Sequence, residues 1–214
     1  MCGRYSIGNE IEQLARQHQI KVPDTFAPAY NAAPGQELPV LSMLNQSTFS
    51  LFHWGIHPFW AKSESQRLIN ARAETIAEKV TFKEAFSKRR CLVAGDGYYE
   101  WMKRPEGKIP YRICLHDDQP FFFAGIWEQE QAYILQDFAI ITTRASPSIA
   151  HIHDRMPVII PPEAIDFWLS DTEDTPGLLD ILRPLEDRQL KAYQVSKKVN
   201  WVGNNSAGLR EIVA

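Results

Sequence analysis

Eight short apolar runs limit what this chain can fold into: LPVLSML, FSLFHWG, CLVAG, GYYEW, YRICLH, PFFFAGIW, DFAIITT and MPVII. Most are bounded by Gly, Pro, Asp or Asn, and they are rich in β-branched and aromatic residues, the composition of strands closed by turns. Strands this short bury little by themselves, so their number predicts a mainly antiparallel, barrel-like core. Longer periodicity with Glu, Ala and Lys predicts peripheral short helices over 10–19, 74–88, 162–169 and 176–182, the first opened by Asn9 and Glu12 as a capping pair. No repeat, low-complexity tract or long linker interrupts the 214 residues. The expected class is α+β, a single domain spanning 1–214.

At 44% hydrophobic and 23% charged residues, the composition supports a sizeable core. The three cysteines, Cys2, Cys91 and Cys114, lack CxxC spacing, so neither a disulfide framework nor a zinc knuckle is expected and a reducing cytoplasm fits. No apolar run approaches the ~18 residues of a membrane span. Net charge is −3, which argues against wholesale electrostatic capture of nucleic acid. The distribution is uneven, however. Residues 61–112 hold 12 Lys+Arg against 7 Asp+Glu (+5), 115–187 hold 3 against 14 (−11), and 188–214 hold 5 against 1 (+4). The two basic segments together would make a groove for a polyanion, with the acidic segment turned away; the plainer alternative is a solvated charge pattern.

Several stretches put reactive groups among strand-forming neighbours. In MCGRYSIG, removal of Met1 would leave Cys2 with a free α-amine beside its thiol, groups that ordinarily titrate near ~7.7–8.0 and ~8.5. Arg4 would favour the neutral amine and the thiolate. In LINARAET, an extended chain sends Asn70, Arg72 and Glu74 to one face; the alternative is a turn capped by Asn. In GDGYYEW, Glu100 lies between Tyr99 and Trp101, where exclusion of water raises a carboxyl pKa toward general-acid range. The alternative is a rim ion pair with Arg89, Arg90 or Lys103. In HIHDRMPVII, His151 and His153 share a face but lack a third ligand, so a proton-shuttling histidine next to Asp154 or Arg155 is the better reading than zinc. In FHWGIHPFWAK, Trp54, Phe59 and Trp60 near Lys62 suit either base stacking or a core.

Taken together, MCGRY, YNAAPGQ, WG…P.WAK, NARAET, RRCLV..DGYYEW, KIPY, ITT.A and IH.RMPVII, with a final VN, resemble the SOS response-associated peptidase (SRAP) family of abasic-site processing proteins. The motifs keep that family's order from Cys2 to Asn200. The resemblance implies autoproteolytic removal of Met1 and a reaction of Cys2, through amine and thiol, with the ring-opened sugar of an abasic site. The product is a thiazolidine DNA–protein crosslink that protects the lesion during the DNA damage response. It implies that Asn70 orients the amine or sugar, that Glu100 is the acid/base, and that His153 stabilises the opened ring, chosen over His151 by the H-x-R-M-P spacing. Arg4 and Arg72 resemble phosphate contacts, and Trp54 and Trp101 base-stacking or wedge positions. The implied partner is single-stranded DNA containing abasic sites, bound by a cytoplasmic monomer that joins the nucleoid with its DNA. No membrane, metal or organic cofactor is implied, and weak lyase activity is. LVAGDG replaces the family's common LVPADG, and a short stretch before INARAET bears on DNA contacts over 61–69.

Two other classes remain beside this one. An N-terminal-cysteine hydrolase, either an amidotransferase or a peptidase, would also start at Cys2, although RG.DS and NGEI segments are missing. A non-catalytic single-strand binder would carry Cys2 incidentally.

Overall fold

Seven of the eight apolar runs each fall on one strand, and MPVII is shared between two. A computed structural model describes residues 2–63, 66–129 and 136–213. In chain order these form β1 (Tyr5–Ile7), α1 (Ile11–His18), β2 (Ala29–Ala32), β3 (Glu37–Ser42), β4 (Asn45–Trp54), β5 (Asn70–Arg72), α2 (Lys83–Lys88), β6 (Arg90–Gly95), β7 (Gly97–Arg104), β8 (Gly107–Leu115), β9 (Phe121–Gln129), β10 (Gln136–Arg144), β11 (Arg155–Pro157), β12 (Ile159–Ile160), α3 (Ile165–Leu169), α4 (Thr175–Ile181) and β13 (Leu190–Gln194). The class is α+β, as expected.

The expected barrel-like core is met only in part, because the strands form two sheets that do not close into one true barrel. The strands divide between a five-stranded sheet, β13-β8-β7-β1-β2, and a larger one, β11-β10-β4-β3-β6-β9-β12, in which β5 also pairs with β10 and β9 pairs again with β10. Most ladders are antiparallel, but β10 runs parallel to both β4 and β5. The long connection between β4 and β10 gives the crossover that parallel pairing needs. Packing fixes it: Trp54 stacks on Phe138 at 6.1 Å and 10°, and Tyr5 meets the same indole edge-on at 5.1 Å.

Alternation along β7 separates two faces. Tyr98 joins the main core between the sheets, whereas Tyr99 belongs to a smaller cluster with Val195, Val199 and Leu209, flanked by Trp101 and Tyr193. The two basic segments of the sequence therefore meet on one sheet, since β7 and β8 come from the first and β13 from the last.

Three helices are shorter than their periodicity predicts, and α4 keeps its expected length one residue earlier. In α1, Ile11, Leu14 and Ala15 face the core, but the expected Asn9–Glu12 cap is absent: the N-cap is Glu10, with no side-chain capping bond. The stretch 74–88 yields only a 3-10 turn at Ala73–Thr75 and then α2, with the β-branched pair Val80–Thr81 between them. Fully buried Arg90 seals this corner by donating to the carbonyls of Phe86, Ser87, Trp168 and Ser170 at 2.5–2.8 Å.

One carboxylate joins distant parts of the chain. Asp96 accepts from Ser6 Oγ (2.5 Å), the Gly8 N–H (2.7 Å), Arg112 Nη2 (2.8 Å) and Arg210 Nη1 (3.0 Å). Gly97 makes room for it, because a Cβ there would stand 2.8 Å from the Arg112 guanidinium. No helix among the described residues is long and apolar enough to cross a membrane.

Candidate active site

The register of β1 on β7 sets Tyr5 opposite Tyr98 and Ser6 opposite Gly97, and the Tyr99 N–H donates to Arg4 O at 2.9 Å. Carried on toward the amino end, this register sets Gly3 and Cys2 against Glu100 and Trp101, and the Cys2 thiol is near enough to feel the Glu100 charge. Cys2 is fully buried. Burial pushes its thiol well above the usual range, and the Glu100 charge adds to the shift. This corrects the expectation that Arg4 favours a thiolate: loss of hydration outweighs a neighbouring cation, and the sulfur keeps its proton at neutral pH. Met1 lies outside the described residues.

Glu100 is only 4% exposed. Burial lifts its carboxyl pKa to about 7, and the Asp154 carboxylate pushes the same way. The rim-pair alternative is answered for two of its partners: Arg89 binds Glu84 and Glu128, while Arg90 is spent on backbone carbonyls. Tyr5 and Tyr98 are fully buried on this side of the sheet, and their hydroxyls have no hydrogen-bond partner among the described residues.

His153 enters from the larger sheet, just before β11. Its Nδ1 lies 3.0 Å from both the Arg155 N–H and Asp154 Oδ1, and one nitrogen cannot accept from the first while donating to the second. Burial holds the ring pKa below its ordinary value despite Asp154, which favours the neutral ring. Nδ1 then accepts from Arg155 and the ring proton sits on Nε2. His151 is exposed. Among the described residues no group of three or more His, Cys, Asp or Glu gathers as for a metal ion.

Asn70 begins β5, opposite Ile140 of β10. Its Nδ2 donates to Ile69 O at 2.8 Å, while its Oδ1 is buried with no hydrogen-bond partner among the described residues. A buried amide oxygen left open in this way is a position a ligand N–H or O–H can fill. Arg155 ties the Asn70 strand to the His153 loop: it clasps Glu74 with two hydrogen bonds (2.6 and 3.0 Å) and donates to Thr142 O at 2.6 Å. This hydrogen-bonded cation also holds the Glu74 carboxyl below its usual range. The motif residues Glu74 and Arg155 thus prove to be one clamp, which their sequence separation concealed.

The remaining predicted residues divide. Arg72 is exposed and forms no ion pair among the described residues. Arg4 donates to Asn31 Oδ1 and Val199 O at 2.8 Å and lies 5.7 Å from the Trp101 ring, whose Nε1 donates to Asn200 Oδ1 at 2.8 Å. Trp54 does not present a stacking face. It is fully buried, and its Nε1 donates to Ile69 O at 3.0 Å, so it props the backbone beside Asn70 from within the core. Asn31, deep in YNAAPGQ, passed unnoticed in the sequence because a buried asparagine in a short strand carries no periodic signal. Within 61–69, where the resemblance assigns no particular DNA contact, residues 64 and 65 lie outside the described residues. A cavity of about 790 Å³ lined by Ile56, Phe59, Val80, Trp127, Glu128 and Asp137 includes none of Cys2, Asn70, Glu100 and His153.

Comparison with known proteins places this geometry. The family model for SOS response associated peptidase (SRAP) matches residues 1–202. The chain is 37% identical to abasic site processing protein YoqW of Bacillus subtilis, covering 99% of each. It is 31% identical to abasic site processing protein YedK of Escherichia coli, covering 98% of each. Its fold matches the crystal structure of a protein from Bacteroides thetaiotaomicron over 100% of both chains, with a TM-score of 0.87 and 26% identity. On the sequence match along nearly its whole length, this chain belongs to the SRAP family.

Proposed function

We propose that this protein processes abasic sites in single-stranded DNA by joining its own Cys2 to the lesion. Relatives that match along the whole chain are named for abasic-site processing, and the observation that carries the reading is Cys2 beside a buried Glu100 whose pKa is about 7. Such a carboxyl is protonated in about half the molecules at neutral pH, so it can give a proton in one step and take one back in the next.

Removal of Met1, a peptidase-type hydrolysis of the chain's own first peptide bond, frees the α-amine. The amine attacks the aldehyde carbon of the ring-opened sugar to give a carbinolamine. Protonated Glu100 donates to the departing hydroxyl, which leaves as water, and the carboxylate recovers its proton from the resulting iminium nitrogen. The thiol then adds across the C=N bond: a sulfur–carbon bond forms, and the thiol proton ends on nitrogen. A thiol kept protonated by burial brings that proton with it. His153, with its proton on Nε2, donates to the opened sugar, and Asn70 Oδ1 accepts from the amine or a sugar hydroxyl. The iminium also acidifies the neighbouring C–H, so slow β-elimination accompanies the main reaction. Arg72, Arg4 and Trp101 surround the lesion as phosphate and base contacts. One chain supplies every group, so the reading needs no second copy, and its setting is nucleoid DNA in the cytoplasm.

The test is to mix processed protein with a single-stranded oligonucleotide bearing one abasic site and look for a heat-stable protein–DNA band. Cys2→Ala should abolish the band while retaining non-covalent affinity. No band from the unsubstituted protein overturns the proposal.

A further inference from the structure

The outer face of the five-stranded sheet is covered by the last part of the chain. Val195 pairs with Ile212, and the Val213 N–H donates to Gln194 O at 3.1 Å. Val199 and Leu209 are buried against Tyr99. Asn31 fixes the loop between them: its Nδ2 lies 3.2, 3.1 and 2.9 Å from the carbonyls of Val199, Trp201 and Asn204. A loop tied this firmly to a buried amide is not a fraying tail.

That loop nevertheless holds an indole in water. Trp201 is 69% exposed. Gly203 backs its ring, since a Cβ there would stand 2.6 Å from the indole, so the ring is pre-oriented with its other side outward. The cations beside it are also distinctive. Arg188, Lys191 and Arg210 of the same basic segment each bind a carboxylate, whereas Lys197 and Lys198 have no ion-pair partner among the described residues. The patch adjoins the candidate site directly, because Asn200 accepts the Trp101 indole and Val199 O accepts from Arg4.

A rigidly held, half-backed indole with two unpaired lysines is a platform for one unpaired base and its phosphates. We infer that Trp201, with Lys197 and Lys198, is a second contact site for single-stranded DNA, stacking a base beyond the lesion's immediate neighbours. The inference rests on the function proposed above and assigns this loop a part in reading the strand on one side of the abasic site. Continuity with Trp101 and the local positive charge favour DNA over a protein partner.

The test measures non-covalent affinity in a Cys2→Ala background with two single-stranded oligonucleotides, each bearing one central abasic site. One is three nucleotides long and the other fifteen. Trp201→Ala should weaken binding of the longer strand by roughly 5- to 150-fold, as for loss of one stacked base, and leave the short strand unchanged. Trp201→Phe should retain most of the affinity. Lys197→Gln with Lys198→Gln should flatten the salt dependence of the longer strand by about 1.4 in log–log slope. Equal losses on both strands, or none on the longer one, overturn the inference. Failure of the unsubstituted protein to crosslink overturns the proposed function instead, and the two results are read from separate measurements. Because Trp201 is mostly exposed, melting temperatures should match across the series and exclude misfolding.

Discussion

The buried carboxyl of Glu100 makes a prediction in which stability and activity move in opposite directions. Its pKa rises from an ordinary 4.5 to about 7 through burial. The folded state therefore binds more protons than the unfolded state between these values, and the carboxyl lowers stability progressively as pH rises from about 4.5 to 7. Above that range the full penalty is 2.5 pKa units, or about 3 kcal/mol at ~1.36 kcal/mol per unit. Glu100→Gln removes the ionisation and keeps the shape. The stability of the variant relative to the unsubstituted protein should increase by about 2–3 kcal/mol between pH 5 and pH 8, roughly a 1 M shift in urea midpoint at typical slopes. Crosslinking should fall sharply in the same variant, and in the unsubstituted protein its rate should decline above pH 7 as the carboxyl loses its proton. Urea unfolding at the two pH values, with gel-based crosslinking rates, measures both. A stability difference independent of pH would refute the assignment of a buried, proton-holding carboxyl.

Other expectations follow from the same geometry. All three cysteines are buried and burial raises their thiol pKa values, so iodoacetamide should label the native protein far more slowly than the urea-unfolded chain; comparable rates by intact mass would contradict the placement of Cys2. Trp54→Phe should lower stability by about 1–3 kcal/mol through the space left by the smaller ring in the core without weakening non-covalent DNA binding, and a loss confined to DNA affinity would restore Trp54 to the surface. Glu74→Gln should slow crosslinking by roughly tenfold or more, within the range that misplaced catalytic groups produce, while non-covalent affinity holds and Glu74→Asp recovers part of the rate. Unchanged kinetics would show that the Arg155 clamp positions nothing.

What the sequence disclosed and what it withheld have physical causes. The long strands were legible because runs such as PFFFAGIW and DFAIITT are buried on both faces and read as continuous apolar stretches. β1, β2 and β13 were not, since Ser6, Asn31 and Lys191 interrupt any apolar pattern and their pairing comes from partners far along the chain. The division of the strands between two sheets rests on pairings between distant parts of the chain, the parallel pairs of β10 among them, which no local signal encodes. At the candidate site, residue types were legible from motifs, and the raised pKa of Glu100 was legible from its aromatic flanks. That the Cys2 thiol keeps its proton and that Trp54 points inward depend on burial, which alternation alone did not fix. The Trp54 reading failed because an aromatic near cations looks the same in sequence whether it faces solvent or the core.

The Asp96 junction has a consequence for how this molecule tolerates editing at its ends. One side chain cinches the amino-terminal strand, the middle of the sheet and Arg210 together, like a drawstring with its knot four residues from the finish. Trimming the tail through Arg210 would slacken the cord where the first strand begins, so damage at the last residues would surface as altered chemistry at the first.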